Sequence, residues 1–586
     1  MPPVDPLSKV LHVDLTRRSS SVERRDDLFR DGLGGAGVAI RLLEEHCPAG
    51  TDPLAPGNPI VLAVGPLTGL FALASKTVAM FRSPHTGGLG ESHCGGRSAT
   101  ALRLAGFGAM VVSGSSDLPL YVSVHEGRVR FHDASTLWGM SGTAAVGRII
   151  REQEEGAGTR SIMRIGRAGE RLVSYAAVTT ESYRHFGRLG LGALFGSKKL
   201  KALVIGGRRA LPVADPKSYR TVYDEIYRAA TESPAMKKYH DLGTAGNVAP
   251  LSALGGLPVR NLAATSLPDP TPISGEHLAE EYLGRRLACG HCPVGCIHIA
   301  ALREPHPEEP YFYKTSMISY DYELIYALGS MLGVTDTRGL LRLMDRVEAV
   351  GVDAISVGVV LAWATEAFEK GLVGAAETGG LSLAWGDAEG YMAAVGRIAD
   401  AEGEFWRTLG RGVDAAAERY GGREFALAMG GNEMAGYHTG PAAHLGFLIG
   451  CRHSHLDNAG YSADQKHAGK PLPEPEALVD SLVAEERWRQ VLSSLTVCFF
   501  ARGIYTPDVT TRALAAAGMA LDEAGMRRLG EEIHRRKHAF RVNRGFDAAA
   551  EGLPGRLLET PTPSGRLDPE YLRRGLAHFA RLMSRG

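Results

Sequence analysis

The feature that most constrains this chain is a change of hydrophobic period near residue 210. Before it, apolar residues alternate or form short runs. Val10-Leu-His-Val-Asp-Leu alternates, and Pro59-Ile-Val-Leu-Ala-Val is a buried-strand run. Leu120-Tyr-Val-Ser-Val and Val129-Arg-Phe flank Glu126-Gly127 like a hairpin, and Met110-Val-Val and Leu203-Val-Ile add strands. After it, the spacing is three to four: Tyr219 to Tyr239, Leu340 to Val350, Ile355 to Phe368 and Leu478 to Leu492 read as helices. Alternating strands cannot share a layer with long amphipathic helices without a boundary. The expected fold class is therefore α+β: a mainly β domain over 1–210, a helical domain over 211–420 and a C-terminal helical domain over 421–586. At 586 residues the chain is long enough for several domains.

Composition excludes several classes. Sixty-five basic and 65 acidic residues cancel, which argues against nucleic-acid coating. The longest apolar stretches are broken by Lys76, Glu366 or Gly446, so no segment is expected to insert into a membrane. Met1-Pro-Pro-Val-Asp-Pro lacks the basic and apolar regions of a signal peptide. Seven cysteines are sparse and odd in number, which suits reduced thiols in the cytoplasm. Loops are expected at 256–275, 302–312 and Pro471–Pro475.

The densest chemistry is Ala288-Cys-Gly-His-Cys-Pro-Val-Gly-Cys-Ile-His298, read as following a helical segment that ends near Arg286. Cys289, Cys292 and Cys296 form C-x2-C-x3-C, close enough to bind one metal centre. A fourth ligand is needed, either Cys498 far downstream or His291 or His298. Spacing alone suits an iron–sulfur cluster, a structural zinc or unliganded core thiols. Gly32-x-Gly34-x-x-Gly37 matches a dinucleotide fingerprint, yet the charged Arg24–Arg30 stretch before it is no buried strand, so a structural turn is the better reading. Two other glycine clusters, Arg82–Arg97 and Gly187–Lys201, mix small residues with cations. That mixture suits either a phosphate cradle or plain turns.

Together these segments resemble the aldehyde ferredoxin oxidoreductase family of tungsten enzymes, from Val10 to about Arg544. Gly187-Arg-Leu-Gly-Leu-Gly-Ala-Leu-Phe-Gly-Ser-Lys-Lys-Leu-Lys201 looks like the family's G-R-G-G-L-G-A-V-x-G-S-K-N-L-K-A segment. Arg82-Ser-Pro-His-Thr-Gly-Gly-Leu-Gly-Glu-Ser-His-Cys-Gly-Gly96 looks like its K-S-P-L-T-G-x-x-G-x-S-N-x-G-G segment. The resemblance implies tungsten or molybdenum held by two pyranopterin dithiolenes, magnesium bridging their phosphates, and one [4Fe–4S] cluster on Cys289, Cys292, Cys296 and Cys498. It implies a β domain that seats the pterins beneath two helical domains. Carried over residue by residue, cofactor contacts fall on Lys76, Gly95, Arg188, Leu191 and Gly192, with magnesium on the backbone carbonyls of His93 and Leu189. Further contacts fall on Glu348, Val352 and Asp353, on Ser493 and Val497, and on Arg452. Because the pterin sulfurs ligate the metal, the protein sequence does not choose between tungsten and molybdenum.

For acid–base chemistry the resemblance points to Glu323 and to His455, with His453 as the alternative. Glu323 in an apolar pocket is expected to have a raised pKa and to take a proton from water; a bland reading makes it a helix-first-turn carboxylate. Asp321 is close enough to be mistaken for the base. The chain also departs from the family. Ser493 and Thr496 replace the carboxylate and glycine of the second pterin motif, His93-Cys94 stands where asparagine is usual, Tyr437-His-Thr-Gly440 replaces Y-D-P-R, and Asp457 replaces a basic residue.

The implied activity is oxidation of an aldehyde with water to a carboxylate, with ferredoxin or an iron–sulfur subunit as acceptor. One alternative keeps the cofactor but reduces an activated acid or ring within a larger complex. Another is a cofactor-depleted electron-transfer or scaffold subunit. A homodimer enters only as a family carry-over.

Overall fold

The computed structural model describes residues 6–156, 158–181, 183–306, 308–309 and 311–584. Met1–Asp5 and positions 307 and 310 of the 302–312 loop lie outside the described residues.

The N-terminal part holds two six-stranded sheets. Across the first, the order is Ser19–Arg24, Lys9–Asp14, Ala109–Ser113, Ile60–Ala63, Thr77–Arg82 and Leu89–Cys94. Across the second it is His185–Phe186, Val178–Thr179, Thr159–Ile165, Leu200–Gly207, Leu120–His125 and Arg128–Asp133. The hairpin at Glu126-Gly127 is tight, with His125 paired to Arg128. Both turn residues have positive φ, 50° and 88°, as a two-residue turn between twisted strands requires.

Alternation sets the layers. Leu11, Val13, Leu62 and Met110 of the first sheet meet Val122, Val124, Leu203 and Ile205 of the second in one core. The first sheet's other face, with Val10, Val61 and Met80, packs on helix Gly35–His46 and on Val491, Met526 and Ile533 from far downstream. The last third of the chain therefore returns to the first sheet. The Gly32–Gly37 turn lies at this junction, and a Cβ on Gly35 would stand 2.1 Å from the Ser493 carbonyl oxygen. That close approach accounts for the glycines without a nucleotide.

Helices dominate after Gly207. Asp215, Asp336, Asp353 and Asp522 cap Pro216–Glu232, Thr337–Val350, Ala354–Glu369 and Glu523–Val542 by accepting first-turn N–H bonds. Ala354–Glu369 is apolar nearly all round and runs through the largest core, where Trp363 is fully buried.

Three segments depart from the sequence reading. Tyr219 to Tyr239 divides into helices Pro216–Glu232 and Pro234–Asp241, and strand Ile297–Pro305 takes in the start of the expected 302–312 loop. The stretch before Cys289 is not helical. Leu283–Leu287 is a strand, not the end of a helix, in a three-stranded antiparallel sheet with Ile297–Pro305 and Tyr313–Tyr320. Pairing of Leu287 with Ile297 and Arg286 with His298 overrides the local helical spacing, since strand preference depends on cross-strand neighbours.

Candidate active site

The chain reversal brings Cys498 to the cysteine trio. Cys289, Cys292 and Cys296 occupy the loop between strands Leu283–Leu287 and Ile297–Pro305, and Cys498 follows helix Pro475–Ser494. Leu73 joins the two segments: its N–H donates to the His291 carbonyl at 3.0 Å, and its carbonyl accepts from the Cys498 N–H at 2.9 Å. Lys76 N–H likewise donates to the Thr496 carbonyl at 3.0 Å. All four thiols are free and half-buried and line one cavity of about 370 Å³, whereas Cys47, Cys94 and Cys451 are buried. Gly95 lies against this group; a Cβ there would stand 2.8 Å from Cys289 Sγ and 3.2 Å from Lys76 Nζ.

Buried cations accompany the thiols. Burial disfavours the Lys76 ammonium, but the negative charge available to Cys498, Cys289 and Cys296 outweighs it and raises the Lys76 pKa. Arg184 is raised for the same reason by Cys296, Cys289 and Asp321, against its burial. A four-thiolate donor set flanked by cations fits an iron–sulfur cluster.

A polar cradle lines another wall of the cavity. Arg188 Nε donates to Asp353 Oδ2 at 3.0 Å and Nη2 to the Glu433 carbonyl at 2.7 Å. Its Nη1, with Thr179 Oγ1 and His455 Nδ1, is buried without a hydrogen-bond partner among the described residues. All three belong to cavity-lining side chains. Such groups are rarely left unpaired, so the cavity fits a polar ligand such as a phosphate-bearing pterin. Glu348, Val352 and Asp353 line the same wall, and Glu348 Oε2 bonds His185 Nε2 at 2.5 Å. Val497 and His93 also line the cavity, and His93 Nε2 meets Glu91 Oε1 at 2.7 Å.

Facing these groups, Glu323 sits in the first turn of Tyr322–Leu328, whose cap Asp321 accepts from Leu324 N–H at 3.3 Å. Tyr437 Oη donates to Glu323 Oε1 at 3.2 Å, and His455 Nε2 lies 3.3 Å from the same oxygen. Tyr461 stacks on Tyr437 at 4.1 Å. The expected rise in the Glu323 pKa is corrected here. Burial pushes it up, but His455 and Tyr437 outweigh burial and lower it. Asp321 takes the rise instead, to about 6, through burial and the Glu323 charge, against Arg184.

Several residues singled out in the sequence lie off the cavity. His453 is engaged on both nitrogens, accepting from Arg541 Nη2 at 2.6 Å and donating to the Phe447 carbonyl at 2.9 Å; burial and Arg541 hold its pKa down at about 3. Arg452 pairs with Asp457 at 2.6 Å, so the acid found where the family has a base closes this loop internally. Leu191 and Gly192 open helix Leu191–Ser197, and the Gly192 N–H is spent on the Ala176 carbonyl at 2.9 Å. The Leu189 carbonyl accepts from Ser83 Oγ at 2.8 Å, which leaves it one lone pair. Ser493 is buried under Gly35. Thr496, where the family carries glycine, has a left-handed backbone, φ 59°, and its Oγ1 bonds Thr68 Oγ1 at 2.7 Å. The sequence reading did not single out Arg184, Thr179 or Tyr461.

Fold and site together describe a β-rich domain followed by helical domains, with a cavity lined by four thiols, buried cations and a carboxylate–histidine pair. Comparison with known proteins makes this specific. Residues 10–207 match the aldehyde ferredoxin oxidoreductase N-terminal domain, and residues 221–583 match domains 2 and 3. The chain is 31% identical over 576 residues to the tungsten-containing aldehyde ferredoxin oxidoreductase of Pyrococcus furiosus, covering 95% of this chain and 92% of that protein. It is 32% identical to the enzyme of that name from Thermococcus kodakarensis, with 95% and 92% covered. An aliphatic sulfonate oxidoreductase, WOR-like subunit, from Pyrococcus furiosus is 29% identical over 70% of this chain and 66% of its own. The active site complex BamBC of benzoyl coenzyme A reductase shares the fold, with TM-score 0.83 and 21% identity over 99% of this chain and 94% of that one. The chain belongs to the aldehyde ferredoxin oxidoreductase family.

Proposed function

We propose that this chain oxidises an aldehyde with water to a carboxylate, using a tungsten–pterin cofactor and one [4Fe–4S] cluster, and delivers electrons to ferredoxin or a ferredoxin-like iron–sulfur subunit. The observation that supports this most is that four half-buried thiols and the Glu323–His455–Tyr437 group face one cavity. Cys289, Cys292, Cys296 and Cys498 would hold the cluster, with Lys76 and Arg184 balancing its charge. Arg188 and Thr179 would meet the pterins alongside Glu348, Val352, Asp353 and Val497, with the carbonyls of His93 and Leu189 offered to magnesium. The tungsten (or molybdenum) group, when bound, supplies the two-electron redox chemistry.

The chain's own part is proton handling and orientation. Tyr437 and His455 both engage Glu323 Oε1, which keeps the carboxylate ionised and leaves Oε2 to accept a proton from water. The His455 ring orients the carboxylate through Nε2, and its unpaired Nδ1 is available to a bound polar group. Stacked Tyr437 and Tyr461 wall this end of the cavity with apolar surface. That keeps the local dielectric low and strengthens each contact.

Anaerobic assay of metal-replete protein with an aldehyde series and a viologen dye tests the reading. Aldehyde-dependent dye reduction is the expected result. A tungsten-loaded protein that ignores every aldehyde yet reduces an activated acid or an aromatic thioester would move the substrate to the alternative class.

A further inference from the structure

Away from the cavity, three side chains with no part in the proposed chemistry converge in the interior. One donor atom each from Cys451, Glu486 and His534 lies within 4.8 Å of the other two, and all three residues are buried. They come from separate elements: the turn after helix Pro441–Ile449, the middle of Pro475–Ser494 and the middle of Glu523–Val542. Glu486 Oε1 accepts the Cys451 N–H at 3.0 Å. The same oxygen lies 3.8 Å from His534 Nε2, too far for a hydrogen bond.

His534 is the second, independent observation. Its side chain is 1% exposed, yet neither ring nitrogen has a hydrogen-bond partner among the described residues. Leaving a buried polar group unpaired costs about 1–3 kcal/mol, and native folds avoid it or fill the place with an ion or water. Neighbouring cations do not fill it. Lys537 bonds Glu91 and Gln490, while Arg541 bonds the Gly450 carbonyl at 3.1 Å and His453.

We propose that Cys451, Glu486 and His534 bind a divalent transition ion of the zinc class, with water as a fourth ligand. Thiolate, carboxylate and neutral imidazole form a donor set suited to zinc. Donors at about 2.0–2.3 Å from a tetrahedral ion stand about 3.3–3.8 Å apart, so side-chain rotation of roughly 1 Å closes the site. Binding forms metal–sulfur, metal–oxygen and metal–nitrogen bonds and releases to solvent the Cys451 thiol proton and any proton held by the buried Glu486 carboxyl. No electron is transferred. Thiolate and carboxylate cancel the ion's two charges, which lets the site remain buried.

The ion would tie two long helices to the 450–454 turn. His455 follows Cys451 by four residues, so the site would steady the segment that presents this histidine to Glu323. The role is positioning, at a distance from the cofactor cavity.

Elemental analysis and zinc K-edge X-ray absorption on the full chain, purified without oxygen, test the proposal independently of the cofactor reading, because iron and tungsten are counted separately. About one zinc-class ion per chain is expected, with one sulfur near 2.3 Å and two or three nitrogen or oxygen neighbours near 2.0 Å. Cys451→Ser and His534→Asn should each lower its retention against a chelator about tenfold or more with iron unchanged. If either variant fails to fold, the wild-type spectrum still decides. Absence of the ion even after incubation with zinc, a first shell with two or more sulfurs, or unchanged retention in both variants would overturn the proposal.

Discussion

Replacing Glu323 with glutamine isolates one chemical property. Glutamine has the same length, and its carbonyl oxygen can still accept from Tyr437 Oη and His455 Nε2, now at 3.2 and 3.3 Å. Packing and both bonds survive, and only the ability to take a proton is lost. A positioned general base contributes about 10²–10⁴-fold, or about 2.7–5.4 kcal/mol at 1.36 kcal/mol per tenfold. The assay is anaerobic dye reduction by an aldehyde series, with tungsten and iron measured on the same samples. We expect kcat/KM to fall at least about 100-fold with metal content unchanged. The pH profile adds a sign. Against burial, His455 and Tyr437 hold the Glu323 pKa below the ordinary carboxylate value, so the carboxylate is ionised through neutral pH and the acid limb of kcat/KM should lie on the acid side of an ordinary glutamate's. His455→Phe removes the largest influence lowering the pKa and leaves burial opposed only by weaker ones, so the limb should move to higher pH. Glu323→Gln within about threefold of wild type would refute the role, and Asp321, raised to about 6, would be the next candidate.

Three further expectations follow from packing and charge. Gly95→Ala places a methyl 2.8 Å from Cys289 Sγ, so iron per chain should drop while circular dichroism holds. Cys498→Ser should remove most of the iron and the electron paramagnetic resonance signal of the proposed cluster, in which its thiol would be the fourth ligand. Glu433 Oε2 and His85 Nε2 lie 2.7 Å apart, each side chain 1% exposed. Burial raises the Glu433 pKa, but His85 and further hydrogen bonds bring it down to about 2. Its stabilisation is present above the ordinary carboxylate pKa and lost as pH falls toward 2. Glu433→Ala leaves the buried His85 Nε2 and Val413 N–H without their acceptor and should cost at least about 1–3 kcal/mol, read as a lower denaturation midpoint at neutral pH.

Part of the candidate site was legible because rare residues sit in tight spacing: C-x2-C-x3-C marks Cys289, Cys292 and Cys296 as a metal-binding candidate without any structure. Glu323 and the histidines of Cys451–Asp457 were singled out only through the family resemblance. What was not legible depends on neighbours distant in sequence. Leu283–Leu287 has helical spacing and becomes a strand only because Ile297–Ala300 lies beside it. Tyr461 reads as an ordinary aromatic until it stacks on Tyr437. Gly192 looked like an anion-binding turn residue, but its N–H meets the Ala176 carbonyl. The lowered Glu323 pKa needed His455, more than a hundred residues away, to be in contact.

Elemental analysis joined to activity tests the central claim most directly. Protein from cells supplied with tungstate and molybdate and able to make the pterin, purified without oxygen, should carry about four irons and one tungsten or molybdenum per chain. The same sample should reduce a viologen dye when an aldehyde is added. Four irons with neither heavier metal would contradict the account and favour an electron-carrying subunit, and zinc in place of iron at the four cysteines would contradict the cluster itself.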